Sequence, residues 1–380
     1  MCSLNTLVVG RRAVMLGVAA FAVPSSFAQA AKIVLGQSAP MTGPSAQLGI
    51  QFNQGAQLYF DQVNANGGIN GRKVELRVLD DGYEPDRTAV NTKQFINDGV
   101  FALFGYIGTP TSAVALPLAT QARIPFFAPF TGAEVLRTPL NRYALHVRAS
   151  YNDETAAIVN RMANIGVSKI AVFYQNDAYG QAGLGGVTTA LAKIGGAPVA
   201  VGMVERNTVE VAAAVKAIVA ATPAAIVMIS TYKSCAAFIR SAKAVGYTGT
   251  FYNVSFVGTT ALATELGKDA AGVVISQVMP TPYSISQPIS AEYVALVKAA
   301  GKPEITANYS SMEGFMAAKV FHEAMKKPGA SNSREAFIDA VESIKAHNFG
   351  GFYVDFAKTK HVASKFVELT MLTADGRVVR

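Results

Sequence analysis

Thr109 and Thr131 are the residues whose type and setting point most directly to chemistry. Each follows a short apolar run, 101–104 for the first and 125–128 for the second, and each opens a polar turn. Thr109-Pro110 puts a hydroxyl at an expected N-cap with proline at the first helical position, where its missing N–H leaves nothing unpaired. Thr131 followed by Glu134 has capping-box spacing. Free backbone N–H groups and the positive end of a helix dipole make such turns seats for a carboxylate or phosphate. The alternative is that both threonines only cap their helices. Bond-making chemistry finds less support. His146, His322, His347 and His361 show neither metal spacing nor a serine partner, and are read as structural or exposed. A nucleotide-dependent dehydrogenase would need a glycine fingerprint after the first strand, where QSAPMTG stands instead.

The elements that position these threonines alternate along the chain. Strands are expected over 32–36, 74–80, 101–104, 125–128, 143–148, 169–174, 199–204, 224–230 and 250–253. Between them, helices are expected over 47–64, 86–99, 112–122, 152–165, 183–194, 209–221 and 235–246, with another after Thr131. Strand–helix alternation predicts an α/β chain with doubly wound parallel sheets, whose ligands bind at the carboxyl ends of the strands. Apolar spacing on the helix over 235–246 buries Cys235 as a core residue.

Length and composition agree with two domains. The 380 residues are 51% hydrophobic and 15% charged, with a formal net charge of +8. No run of five like charges occurs, so the excess is read as a solvated surface and not as a nucleic-acid footprint. Residues 1–30 have the pattern of a secretory leader: Arg11-Arg12, an apolar stretch over 13–23, then Pro24 and small-residue sites ending at Ala28 and Ala30. The expectation is export with cleavage near Ala28 or Ala30, by the Sec route or through the paired arginines. Cleavage would remove Cys2 and leave Cys235 alone, with no intramolecular disulfide and no cysteine-rich zinc site.

The stretches SAPMTGPSAQLG, NANGGINGRKVELRVLDDGYEPDRTAVNTKQFINDGVFALFG and PFFAPFTGAEVLR resemble the periplasmic branched-chain amino acid binding proteins, the Leu/Ile/Val-binding family of ABC-importer receptors. GGINGRKVEL is the most specific of these signatures, and the likeness extends over nearly all of the chain after the leader. The resemblance implies a type I periplasmic binding fold: two doubly wound parallel-sheet lobes joined by three crossings, near Ala149, near Met279 and Pro280, and within 352–357. Lobe 1 would then comprise 31–148 with 280–355, and lobe 2 149–279 with 356–380.

Carried over by residue, the resemblance implies that Thr109 binds a ligand carboxylate and that Phe130 and Thr131 complete that contact. Tyr179, in QNDAYG, matches the aromatic that closes from the second lobe, and Thr231 or Tyr232 a further loop there. Leu48 stands where relatives often have an aromatic beside the aliphatic pocket, with Tyr106 and Ile107 near it, and Tyr309 and Ser310 line the cleft. One position departs from the pattern. Amino-acid-binding relatives commonly place an acid after the strand that ends here at Asn253, to receive the ligand's ammonium, whereas this chain has Val254-Ser255-Phe256. A buried ammonium without an anionic partner is costly, so either another acid reaches the cleft or the ligand has no ammonium. Asp81, Glu134 and Glu313 are the candidates, each otherwise expected to cap a helix or face solvent. The cysteines that form a disulfide in some relatives correspond to Tyr83 and Gly108.

Two ligand classes therefore stand: a branched-chain or other hydrophobic amino acid, and an ammonium-free carboxylate held in an apolar box of Phe130, Tyr179, Tyr232 and Phe256, residues that could equally be lobe core. Neither requires a cofactor or a metal. The expected partner is an inner-membrane ABC permease, and the expected state is a monomer in the periplasm. A ligand-sensing regulator or receptor of the same fold is the competing reading, and a regulator would lack the leader.

Overall fold

The computed structural model describes residues 1–7 and 32–380. Residues 8–30 of the expected leader, with its apolar stretch and cleavage sites, fall outside them. Residues 1–7 carry no regular secondary structure.

The first sheet is laid down by β1 (Ile33–Ala39), α1 (Ala46–Ala65), β2 (Val74–Asp80), α2 (Pro85–Asn97), β3 (Ala102–Phe104), α3 (Thr109–Gln121), β4 (Phe126–Phe127) and β5 (Ala144–Leu145). Its five strands run in the order β2-β1-β3-β4-β5, and every pairing is parallel. The chain then builds a second sheet from α4 (Tyr151–Asn164), β6 (Ile170–Gln175), α5 (Ala178–Ala192), β7 (Val201–Val204), α6 (Ala212–Ala220), β8 (Ala225–Ile229), α7 (Tyr232–Ala244), β9 (Thr250–Asn253), α8 (Thr259–Leu266) and β10 (Val274–Gln277). Helices α9 (Pro288–Ala300), α10 (Tyr309–Met325) and α11 (Arg334–Glu342) and the hairpin β11 (His347–Asn348) and β12 (Tyr353–Val354) follow. The last strands, β13 (Glu368–Leu372) and β14 (Val378–Val379), join the second sheet antiparallel, giving the order β14-β13-β10-β9-β8-β6-β7.

Burial explains the strand sequences. β8, Ala-Ile-Val-Met-Ile, is buried throughout, as a parallel strand covered by helices on both faces must be. β7 lies at an edge and alternates between exposed and buried. Helix α10 returns to the first sheet, where Phe321 meets Phe104 and Phe127 edge-on. Its approach to α1 depends on glycine. A Cβ on Gly55 would lie 1.7 Å from the Ser311 carbonyl oxygen, and one on Gly314 1.9 Å from that of Phe52.

Strand order reverses between β1 and β3 in the first sheet and between β6 and β8 in the second. Such switch points open a crevice at the carboxyl ends of the flanking strands. The loops after β1 and β3 and the loops after β6 and β8 flank these switch points, and the loop after β4, the next strand over, borders the first of them.

Several expectations about helix starts are corrected. Thr109 is the first residue of α3 and not its cap; Gly108 takes the cap position at φ +94°, and a Cβ there would come within 2.2 Å of the Tyr83 ring. The helix expected after Thr131 is a single 3-10 turn, Glu134–Leu136, with no side-chain cap. Thr131 Oγ1 instead accepts from the Ala133 N–H at 3.2 Å. A capping box does occur, at Ser150 and Asp153. Helix α5 begins at Ala178 and not Gly183, because Asp177 accepts from the N–H groups of Tyr179 and Gly180.

Candidate functional site

The loops after β3 and β4 meet through their threonines. Thr109 Oγ1 and Thr131 Oγ1 lie 2.7 Å apart, both fully buried. The two loops are also tied by backbone, since Gly108 N–H donates to Phe130 O and Phe130 N–H to Tyr106 O. Phe130 projects from this pair into a stack that crosses to the second sheet. Its ring lies 5.3 Å from that of Phe256, which meets Tyr179 at 4.7 Å, and Tyr179 in turn meets Tyr151 at 5.3 Å. Tyr83 joins the far side of Phe256 at 6.0 Å.

Beside these rings lies a buried charged cluster centred on Arg148. Its guanidinium stands 5.1 Å from the Phe130 ring centre and 5.7 Å from that of Tyr151. Nη2 donates to Glu154 Oε1 at 3.0 Å and also to Ser255 Oγ. Nη1 is 3.4 Å from Glu313 Oε1, an ion-pair contact longer than a good hydrogen bond. The side chains of Arg148, Glu154 and Glu313 are 1%, 0% and 6% exposed. Glu154 is saturated: beyond Arg148 it accepts from Ser255 N–H at 2.8 Å, Ser255 Oγ at 3.0 Å and Ser276 Oγ at 2.6 Å. Glu313 has no such set of donors, and burial pushes its carboxyl up to about 7 against the pull of Arg148. Arg137, also buried, donates through Nη2 to the carbonyls of Thr131, Arg148 and Ala149, so one guanidinium holds the threonine loop to the Arg148 segment.

The acids expected as replacements at the cleft thus separate. Asp81 is buried but faces inward, accepting from Ser38 Oγ, Tyr83 N–H and Thr88 Oγ1. Glu134 is partly exposed on the 3-10 turn. Glu313, expected to cap or to face solvent, instead lines a cavity with Phe130, Ser255, Met279, Tyr309 and Ser310. That cavity is about 10 Å³, room for about one water.

Of the residues singled out from sequence, Thr109, Phe130, Thr131, Tyr179, Ser255, Phe256 and Tyr309 come together here. Leu48 packs where a Cβ on Gly258 would lie 2.6 Å from its Cδ2, which marks a contact between the start of α1 and the residue before α8; Tyr232 Oη accepts from Gln47 N–H at 3.4 Å, which marks one between the start of α1 and the start of α7. Tyr232 stands apart from the aromatic stack. Thr231 is buried at the cap position of α7 without a side-chain capping bond. Ile107 belongs to the larger core. Tyr106 does not reach the cleft: it packs on Phe126 in the smaller core on the other face of the sheet, with its hydroxyl 3.2 Å from Thr92 Oγ1. Arg148, Glu154 and Arg137 were not anticipated. The one signal for them is a charge closing the run Ala-Leu-His-Val-Arg at the end of a buried strand.

Two α/β sheets whose carboxyl-end loops meet at a buried cleft are the layout of a ligand-binding receptor. The chain belongs to the periplasmic binding protein family whose model matches residues 32–377. It is similar to a solved structure described as a possible leucine/isoleucine/valine-binding protein from Rhodopirellula baltica, at 32% identity and TM-score 0.88, with 93% of this chain and 97% of that one covered. A substrate-binding periplasmic protein from Ralstonia solanacearum matches at 31% identity and TM-score 0.86, over 92% and 99%. Among curated relatives, Leu/Ile/Val-binding protein homolog 3 of Brucella melitensis is 37% identical over 107 residues, and the chain spans only 28% of that relative's length. These relatives are binding proteins and not enzymes. No helix among the described residues is long and apolar enough to cross a membrane.

Proposed function

We propose that this protein is the extracytoplasmic solute-binding receptor of an ABC importer, and that its ligand is a small hydrophobic carboxylate without an α-ammonium group. One observation carries the ligand class. Ser255, at the position where amino-acid-binding relatives are expected to offer an acid, is bonded to Arg148 and Glu154. The carboxylate that stands there, Glu154, is already taken up by Arg148, Ser255 and Ser276, so position 255 offers an ammonium a guanidinium and no free anion, and a buried ammonium without an anionic partner is costly. The same guanidinium, the Thr109–Thr131 hydroxyl pair and the ring stack of Phe130, Phe256 and Tyr179 suit an aromatic or short aliphatic acid.

The mechanism proposed is hinge closure between lobe 1 (31–148 with 280–355) and lobe 2 (149–279 with 356–380), working in the periplasm after leader removal, as a monomer that presents its closed form to an inner-membrane permease. A cavity of only about 10 Å³ beside Phe130, Ser255 and Glu313 supports this, because an acid of even ring size can enter only if the lobes part. Tyr179 and the loop at Thr231 and Tyr232 would close over it. An amino-acid-specific receptor is the second reading, and Glu313 is the observation in its favour, since a buried carboxylate at the cleft could accept an ammonium.

The test is the thermal midpoint of the mature protein, denatured and refolded to remove carried-over ligand, against leucine, isoleucine, valine, phenylalanine, benzoate, 4-hydroxybenzoate and short fatty acids. Acids without an ammonium are expected to raise the midpoint by mass action, and small-angle scattering is expected to show compaction with them. Stabilisation by amino acids alone would overturn the ligand class.

A further inference from the structure

Arg148 is placed as a receptor for an anion and is only part used. A guanidinium carries five N–H donors, and two of its nitrogens, Nε and Nη1, have no hydrogen-bond acceptor among the described residues although the side chain is 1% exposed. Buried charged donors left unbonded are rare and expensive. The rings of Phe130 and Tyr151 hold the guanidinium plane, and the Glu154 contact fixes its reach, so the group is oriented before any ligand arrives. Glu313 faces it at 3.4 Å without closing a hydrogen bond and lines the cavity at the ring stack.

Resting on the reading of an ammonium-free carboxylate ligand, we propose that Arg148 binds the ligand's carboxylate, that Glu313 holds that place beforehand, and that binding displaces Glu313 with uptake of one proton by its carboxyl group.

Charge balance leads to the proton. The charged groups facing Glu313 are Arg148 in the segment between β5 and α4, Glu154 on α4 and Arg137 just after the 3-10 turn; Tyr309, from the first turn of its own helix, lines the same cavity. Arg137 also feels Glu134 and Asp153, so the two guanidiniums against Glu154 leave at most one positive charge, which one carboxylate neutralises. With Glu313 ionised that carboxylate is internal. When a ligand carboxylate takes its place, the complex would hold one anion too many in a buried site, and two carboxylates sharing one cation push a proton onto one of them. The proton comes from solvent and ends on the Glu313 carboxyl, and no covalent bond other than its O–H is formed. Burial already holds that carboxyl at about 7 in the protein, so the exchange falls within the working range of pH.

Toward pH 6 Glu313 is already mostly protonated and affinity should vary little with pH. Above pH 7 each unit should weaken binding by about tenfold until the group's pKa in the complex is passed. The experiment is isothermal titration of the mature protein with benzoate and with 4-hydroxybenzoate from pH 6 to 9, in buffers of different ionisation enthalpy. Near-zero proton uptake at pH 6 and uptake approaching one at pH 8 are expected, with Kd rising several-fold between pH 7 and 8. Glu313→Gln should abolish the uptake, flatten the profile and bind at least as tightly as wild type at pH 8. In an Arg148→Met/Glu154→Gln protein, which removes the pair together, binding should weaken about 10- to 100-fold, the effect of a lost charge-assisted hydrogen bond. If the acids bind but uptake is absent, or survives in Glu313→Gln, the exchange is overturned and the carboxylate reading stands. If neither acid binds at any pH, both fall.

Discussion

Arg148→Met tests whether the cleft is organised by a buried ion pair. Glu154 is wholly buried and accepts four hydrogen bonds, of which only the one from Arg148 carries a charge. Methionine keeps much of the aliphatic volume against Phe130 but leaves the carboxylate with neutral donors alone. Removing one partner of a buried pair costs about 3–5 kcal/mol. Glu313 does not add to this, because losing Arg148 lets it protonate. For about 350 ordered residues, unfolding entropy is about 0.7 kcal/mol per kelvin, so the thermal midpoint should fall by about 4–7 °C. Adding Glu154→Gln removes the stranded charge while retaining a side chain that accepts from Ser255 N–H, and the double variant should return to within about 2 °C of wild type, as coupled sites do. The assay is calorimetry on ligand-free protein at pH 7.5. A single variant within about 1 °C of wild type, or a double variant as unstable as the single, would refute the argument.

Two further variants probe the elements around this cluster. Thr131→Val leaves the Thr109 hydroxyl and the Ala133 N–H without their partner; unfolding should become easier by about 1–3 kcal/mol, and titration with a carboxylate ligand should show at least tenfold weaker binding. Gly55→Ala places a methyl 1.7 Å from the Ser311 carbonyl; overpacking of this kind costs about 1–3 kcal/mol, read as a lowered denaturant midpoint at unchanged m-value.

The α/β alternation was legible because buried parallel strands must be apolar throughout and helices amphipathic, and both patterns are local. β8 and β9 fall almost where periodicity puts them. Helix starts were less legible. Thr109 and Thr131 have the residue types of caps, yet the φ of Gly108 and the packing of Tyr83 beneath it start α3 one residue earlier, and α5 begins at Ala178 because the side chain of Asp177, its cap, competes well for the first N–H groups. Tyr106 and Ile107 are adjacent in sequence but lie on opposite faces of the sheet, so nearness to a site loop does not decide which one faces the cleft.

The sequence by itself determined the class of this protein, through its signatures and its strand–helix rhythm, and it determined that position 255 lacks the acid an ammonium would need. What occupies that place was decided only in three dimensions. Arg148 lies in the connection between β5 and α4, Glu154 sits in the first turn of a helix where acids are ordinary, and Glu313 lies in a helix that returns from the far end of the chain. Arg148 and Glu154 are only six residues apart, but no local pattern marks either as buried, and Glu313 is far from both in sequence. Their meeting depends on the chain crossing between two sheets, and on Gly55 and Gly314 letting α1 and α10 approach closely enough to bring Glu313 to the cleft.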